Sequence, residues 1–259
     1  MRQLPVDEAH GAMSPARPLA RAAVGALCLA LVACSGSDAE PPVDGGPSGA
    51  AGAPDGDMPE PPPDPNLPYA TELVNFEPGV EAGYGQSKLP NVVLGPPSGG
   101  STDHGSLDVL SLGKGGSIVL GFGRFAISDG PGPDLVVFEN PFWPGGDPSR
   151  VYAEPGEVSV SADGETWFTF PCDAAGDGQG HFAGCAGVTP TLVYEPQTTL
   201  PLDPAVTGGD VFDLSVVGLD NANFVRIRDV SDFGDAPTAG FDLDAVGIVN
   251  ALARPDAPE

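Results

Sequence analysis

The chain has 259 residues, with 10 Lys and Arg against 36 Asp and Glu, for a net charge of −26 at pH 7. A surface this acidic repels nucleic acid and anionic lipid and attracts cations, which excludes nucleic-acid partners. The length suffices for one sizeable domain with flanking segments.

At the N-terminus, Arg2, Arg17 and Arg21 precede an uncharged apolar run, AAVGALCLALVA, from Ala22 to Ala33. Basic residues followed by a short apolar stretch form the layout of a secretory signal. At roughly a dozen residues the run is too short for a bilayer-spanning helix, which needs about 20. The segment Leu31-Val32-Ala33-Cys34 resembles the lipobox of bacterial lipoproteins. That resemblance implies a diacylglycerol group on the Cys34 sulfur, a membrane partner, and a place in the cell envelope at the outer membrane or cell surface. The competing reading is an ordinary signal cut nearby, with Cys34 left as a free thiol. Translation from Met13 would leave the same mature chain. Residues 1–33 are thus expected to be the signal. Residues 34–68, rich in Pro, Gly, Ser and acid with few large apolar side chains, are expected to form a disordered tether.

Beyond the tether, short runs rich in Val, Ile, Phe and Leu alternate with Gly, Pro, Asp and Asn clusters, and no 3.6-residue period is sustained. Strands are expected at Glu72 to Phe76, Leu107 to Leu112, Ser117 to Phe122, Leu135 to Glu139 and Glu157 to Ser161. Further strands are expected at Thr166 to Phe170, Leu192 to Tyr194, Val211 to Val217, Phe224 to Asp229 and Phe241 to Val249. This is an all-β pattern, and it predicts a two-sheet β-sandwich of jelly-roll type over residues 69–251 with a disordered tail at 252–259.

Cysteine usage agrees with export. Cys28 lies in the signal and Cys34 is the proposed anchor, leaving Cys172 and Cys185 to form a disulfide around the loop DAAGDGQGHFAG. A zinc site with His181 as third ligand is the rival, and the CxxC spacing typical of zinc is missing.

In VSVSADGETWFTF, Asp163-Gly164 suits a tight hairpin turn and Trp167 leads the return strand. The S-x-D-G-x-x-W pattern resembles the hairpin signature of discoidin-type domains, and Phe224-Val225-Arg226-Ile227-Arg228 resembles their late strand. Discoidin domains tie their two ends together, whereas Cys172 and Cys185 close an internal loop, so a discoidin-like ligand does not follow. A wider ordered set, SLGKGGSIVLGFG, DGPGPDLVVFENPF, VSVSADGETW, GGDVFDLSVVGL, FVRIRDV and GFDLDAVGIVN, resembles a family of bacterial cell-surface proteins. These resemblances imply a galactose-binding-like jelly roll.

Along Phe241 to Ile248, a period of two would put Asp242 and Asp244 on one face with Val246 and Ile248. Buried carboxylates are costly unless paired or bound to metal. The segment also resembles the closing strand of carbohydrate-binding modules, in which an acidic residue helps hold structural calcium. A second acidic end comprises Asp129 and Asp134 before the apolar run LVVF, and Glu139-Asn140 after it. Asp242, Asp244, Glu139, Asn140 and Asp134 are therefore the expected ligands of a structural Ca2+. Alternatively, Asp129 and Asp134 make turn hydrogen bonds, and Glu139 pairs with Arg226 or Arg228. Trp143, with Tyr152 nearby, is the expected platform for a sugar ring, the competing role being a plug at the end of the sandwich.

No G-x-S-x-G elbow, H-E-x-x-H or phosphate loop occurs. The expected function is a non-catalytic binding or adhesion module for polysaccharide or cell-surface glycan. The alternatives are a purely structural envelope protein and a carboxylate-based hydrolase or lyase.

Overall fold

The strongest apolar/polar alternation lies in SIVLG, GEVSVS and FVRIRD, and these three segments form the middle of the largest sheet. A computed structural model describes residues 63–192 and 197–255. Cys34, the signal, residues 34–62 of the expected tether, and most of the strand expected at Leu192 to Tyr194 lie outside the described residues.

The strands are β1 (Glu72–Glu77), β2 (Leu110–Ser111), β3 (Ser117–Gly121), β4 (Phe125–Ser128), β5 (Leu135–Phe138), β6 (Gly156–Ser161), β7 (Phe168–Thr169), β8 (Asp210–Phe212), β9 (Asn221–Ala222), β10 (Phe224–Asp229), β11 (Asp242–Leu243), β12 (Ala245–Ile248) and β13 (Ala251–Ala253). One short helix, α1 (Pro204–Thr207), is capped by the Asp203 carboxylate, which accepts from the Ala205 N–H. Among the described residues no helix is long and apolar enough to cross a membrane.

The protein is an all-β sandwich. A five-stranded sheet in the order β1-β3-β10-β6-β7 shares one core with the sheet β12-β5-β8. Ile118, Leu120, Val158, Val160, Val225 and Ile227 from the first sheet meet Leu135, Val137, Phe212, Val246 and Ile248 from the second. Each fully buried aliphatic or aromatic side chain contributes about 1.5–3 kcal/mol. Two smaller sheets, β11-β2 and β13-β4-β9, hold the other described strands. All strand pairs among the described residues are antiparallel.

The unbroken apolar run of β5 is explained by burial on both faces. Leu135 and Val137 point into the main core, while Val136 and Phe138 join Tyr69, Leu202 and Ala245 in a second cluster. The β-strand expected through Val217 ends at Phe212, because Asp213 caps a 3-10 turn at Leu214–Val216 by accepting from the Ser215 N–H. The domain also extends past its expected limits. Pro68 accepts a hydrogen bond from the Ile248 N–H, and Leu252 and Ala253 pair with Ala126 and Phe125, so residues 252 and 253 belong to a strand instead of a tail.

In the hairpin, β6 and β7 pair as expected, but the connection spans residues 162–167 and β7 has only two residues. Trp167 does not lead the return strand. It precedes it, with the Arg226 guanidinium 4.5 Å from its ring centroid.

Cys172 and Cys185 form a disulfide. His181 instead offers Nδ1 to Asp177 Oδ2 at 2.8 Å, so the zinc alternative has no third ligand there. On the chain-entropy model a loop of this length contributes about 3 kcal/mol. Replacing both cysteines with Ser should lower the melting temperature by roughly 6–12 °C, as read by circular dichroism.

Candidate metal centre and adjoining groove

Three chain segments deliver buried carboxylates to one end of the sandwich. Glu139 follows the C-terminal end of β5. Glu154 stands two residues before β6, and Asp242 opens β11. The approach is close because position 156 carries no side chain: a Cβ there would lie 2.5 Å from the Phe241 ring. Oxygens of Glu139, Glu154 and Asp242 all lie within 4.8 Å of one another, and all three residues are buried.

Their hydrogen bonding is incomplete. Glu139 Oε1 accepts from the Asp242 N–H at 3.2 Å, but Glu139 Oε2 and Glu154 Oε1 are buried without a partner among the described residues. Asp242 Oδ1 accepts from the Ser111 hydroxyl, and Oδ2 faces the Asn140 amide at 3.5 Å. Neither Arg226 nor Arg228 reaches Glu139. Arg226 stacks on Trp167 and Arg228 pairs with Glu157.

The absence of compensating charge appears in the acidities. Burial, reinforced by Asp242 and Glu154, holds the Glu139 carboxyl well above the usual carboxylate range. Burial, then the charges of Asp242 and Asp229, pushes Glu154 up to about 8. Burial pushes Asp242 up to about 6, although the Ser111 and Asn140 hydrogen bonds oppose the rise.

Two further buried acids nearby are built differently. Asp210 accepts from the backbone N–H groups of Gly187, Val188 and Thr189, and Asp229 accepts from Gly115 N, Phe241 N and the Ser231 hydroxyl. These carboxylates buckle loops together. Glu139 and Glu154 lack such donors, which distinguishes a cation site from a structural carboxylate.

The expected ligand set is thus divided. Glu139, Asp242 and Asn140 come together, and Glu154 joins them. Asp134 is at the opposite end of β5, about 16 Å away at the rise of an extended strand. It lies close to Asp129 and Asp213, but its oxygens accept from Gly130 N, Leu214 N and the Asn250 amide, so it serves turns. Asp244 is buried outside the cluster, with Oδ1 accepting from Ser98 N and Oδ2 unpartnered. The expected sharing of a face with Val246 and Ile248 does not hold. Phe241 and Leu243 enter the main core, the strand breaks at Asp244, and the alternation resumes with opposite parity.

A groove of about 630 Å³ adjoins the cluster, lined in part by Tyr152, Ala153, Phe182, Phe233 and Gly234. Tyr152 is half exposed and stacks on Phe142 with ring centroids 5.0 Å apart. Trp143 is half-buried outside the groove lining, its backbone N–H donating to the Thr102 carbonyl at 2.7 Å. No family model and no characterised protein matches the chain.

Glu154 carries no signal of periodicity in AEPG, and its neighbours arrive from positions 139 and 242, so the sequence pattern did not single it out. The only local sign is an acid directly before a Pro-Gly strand entry.

Proposed function

We propose that the protein is a lipid-anchored module of the cell envelope, whose calcium-stabilised, non-catalytic β domain binds carbohydrate. The observation that carries this reading is the buried Glu139, Glu154 and Asp242 cluster with two unpartnered oxygens. An all-oxygen donor set suits a hard cation, and its spacing is one that an ion with bonds of about 2.3–2.6 Å spans with small side-chain adjustments. Bound calcium would supply the charge that the described side chains around the cluster do not. The export signal, the Cys34 lipobox resemblance and the disulfide agree with an extracytoplasmic location, and the likeness to galactose-binding-like domains favours a glycan ligand.

Hydrolysis is less well supported. Glycosidase carboxylates stand about 5–9.5 Å apart with the scissile bond between them, whereas these oxygens are closer and two are sealed from solvent. Elsewhere, Ser101 and Asp103 both approach the same nitrogen of His104, Nδ1, so no proton relay passes from one side of the ring to the other.

The test uses the full chain carrying Cys34→Ser. Calorimetry should give one calcium bound per chain, lost in Glu139→Gln, and a glycan array should show binding without product release. No calcium uptake and no glycan binding would leave the structural alternative.

A further inference from the structure

The groove beside the metal cluster has a distinctive chemistry. One wall carries the Tyr152 ring, backed by Phe142. Another carries Phe233, nearly half exposed and tilted against Phe182 at 6.3 Å. The disulfide-closed loop supplies a further wall and is fastened down by the Val151 N–H donating to the Gln179 carbonyl. The volume falls within the range of about 300–1,000 Å³ found for small-ligand sites.

Apart from the Tyr152 phenol, the one ionisable side chain lining this groove is Arg150. In a chain of net charge −26 it makes no ion pair within 4.0 Å among the described residues, although its charge reaches Asp147, where the Ser149 hydrogen bonds and then that charge hold the carboxyl down. Its guanidinium presents a planar donor fork that matches a carboxylate in bidentate fashion. The aromatic rings offer apolar faces of the kind that pack against the C–H face of a pyranose.

The carboxylate cluster lies directly behind this wall. Ala153 and Gly234 line the groove, and a Cβ at Gly234 would lie 3.3 Å from Glu154 Oε1. At a pH above the raised acidities of its carboxyl groups, with Glu154 pushed up to about 8, the cluster without a cation is ionised and would repel an anionic ligand. A divalent ion removes most of that repulsion.

We propose that this groove binds a carboxylate-bearing saccharide, a uronic-acid residue of an acidic polysaccharide, with Arg150 taking the carboxylate and Tyr152 and Phe233 taking the ring. The proposal rests on the carbohydrate-binding reading above and adds the charge class of the ligand and its place. In that pH range, calcium occupancy of the cluster strengthens the binding without touching the sugar.

The experiment is calorimetry of the full Cys34→Ser chain with short oligomers of galacturonic, glucuronic and mannuronic acid, each beside its methyl ester. At saturating calcium, at least one acidic oligomer should bind about tenfold or more tightly than its ester, the difference expected for a charge-assisted bidentate pair. Arg150→Gln should reduce the acid to the affinity of its ester, with calcium uptake and melting temperature unchanged. Arg150→Lys should recover only part of the loss, and Tyr152→Ala should weaken acid and ester alike. At a pH above the raised Glu154 value of about 8, calcium-free chelating buffer should weaken the acid more than the ester. If no acid outbinds its ester, or Arg150→Gln changes nothing, the proposal is overturned while glycan binding elsewhere on the array keeps the broader reading. An array with no binding at all removes both.

Discussion

Stripped of divalent cations, the protein should lose stability as the pH rises from about 4 to about 8, the reverse of ordinary acid denaturation. Burial raises Glu139, Glu154 and Asp242 above their unfolded values, Glu154 to about 8 and Asp242 to about 6. The folded state therefore binds protons more tightly than the unfolded state. Its advantage is complete below the unfolded carboxylate range and fades as the pH passes through the raised values. Each tenfold difference in proton affinity between the two states is worth about 1.4 kcal/mol. For a domain of this size, the fall in melting temperature in chelator between pH 4.5 and pH 8 should be on the order of 10 °C. Calcium should flatten the slope and release protons on binding, which calorimetry in buffers of different ionisation enthalpy would count. Glu154→Gln should melt higher than the parent in chelator at pH 8 and no longer respond to calcium. A melting temperature indifferent to pH and calcium over this range would remove the metal centre. Below pH 4 the slope should turn over. There the exposed Asp163, held down to about 2 by the Thr166 and Glu165 N–H groups, begins to lose its hydrogen-bonded charge.

Asp210→Ala should do the opposite of Glu154→Gln. It removes the acceptor shared by the Gly187, Val188 and Thr189 N–H groups, in a position where Asp210 is buried. Each buried donor left without a partner costs about 1–3 kcal/mol, so a loss of about 3 kcal/mol or more is expected. That corresponds to a fall of roughly 6–12 °C in melting temperature. Added calcium should raise the variant and the parent by equal amounts, because Asp210 does not supply an oxygen to the cluster. A neutral or stabilising outcome would mean that Asp210 belongs with the strained acids instead of the satisfied ones.

The two variants test one physical distinction: backbone N–H donors offset part of the burial cost at Asp210, which burial still raises to about 6, whereas Glu139 and Glu154 have other carboxylates for neighbours. Residue type does not reveal which applies. Asp210, Asp229, Glu139 and Glu154 are all acids beside apolar runs, and they differ in the donors that the fold brings to them.

The amino-acid sequence by itself determined the all-β class and the position of most strands, since period-two alternation in β3, β6 and β10 needs only local side-chain order. The absence of any other cysteine in the domain likewise pointed to the pairing of Cys172 with Cys185. Short elements such as β4, β9 and β13 were not legible, because two to four residues carry too little pattern. Glu139 and Asp242 were recognisable as acids placed at strand ends, but separating them from Asp134 required the length of β5. The broken parity at Asp244 arises where the chain leaves its pairing with β2 for β5, a long-range choice. Only the tertiary structure added Glu154 and set Arg150 in an aromatic groove beside it. Such sites are assembled from loops whose spacing in sequence is unrelated to their distance in space.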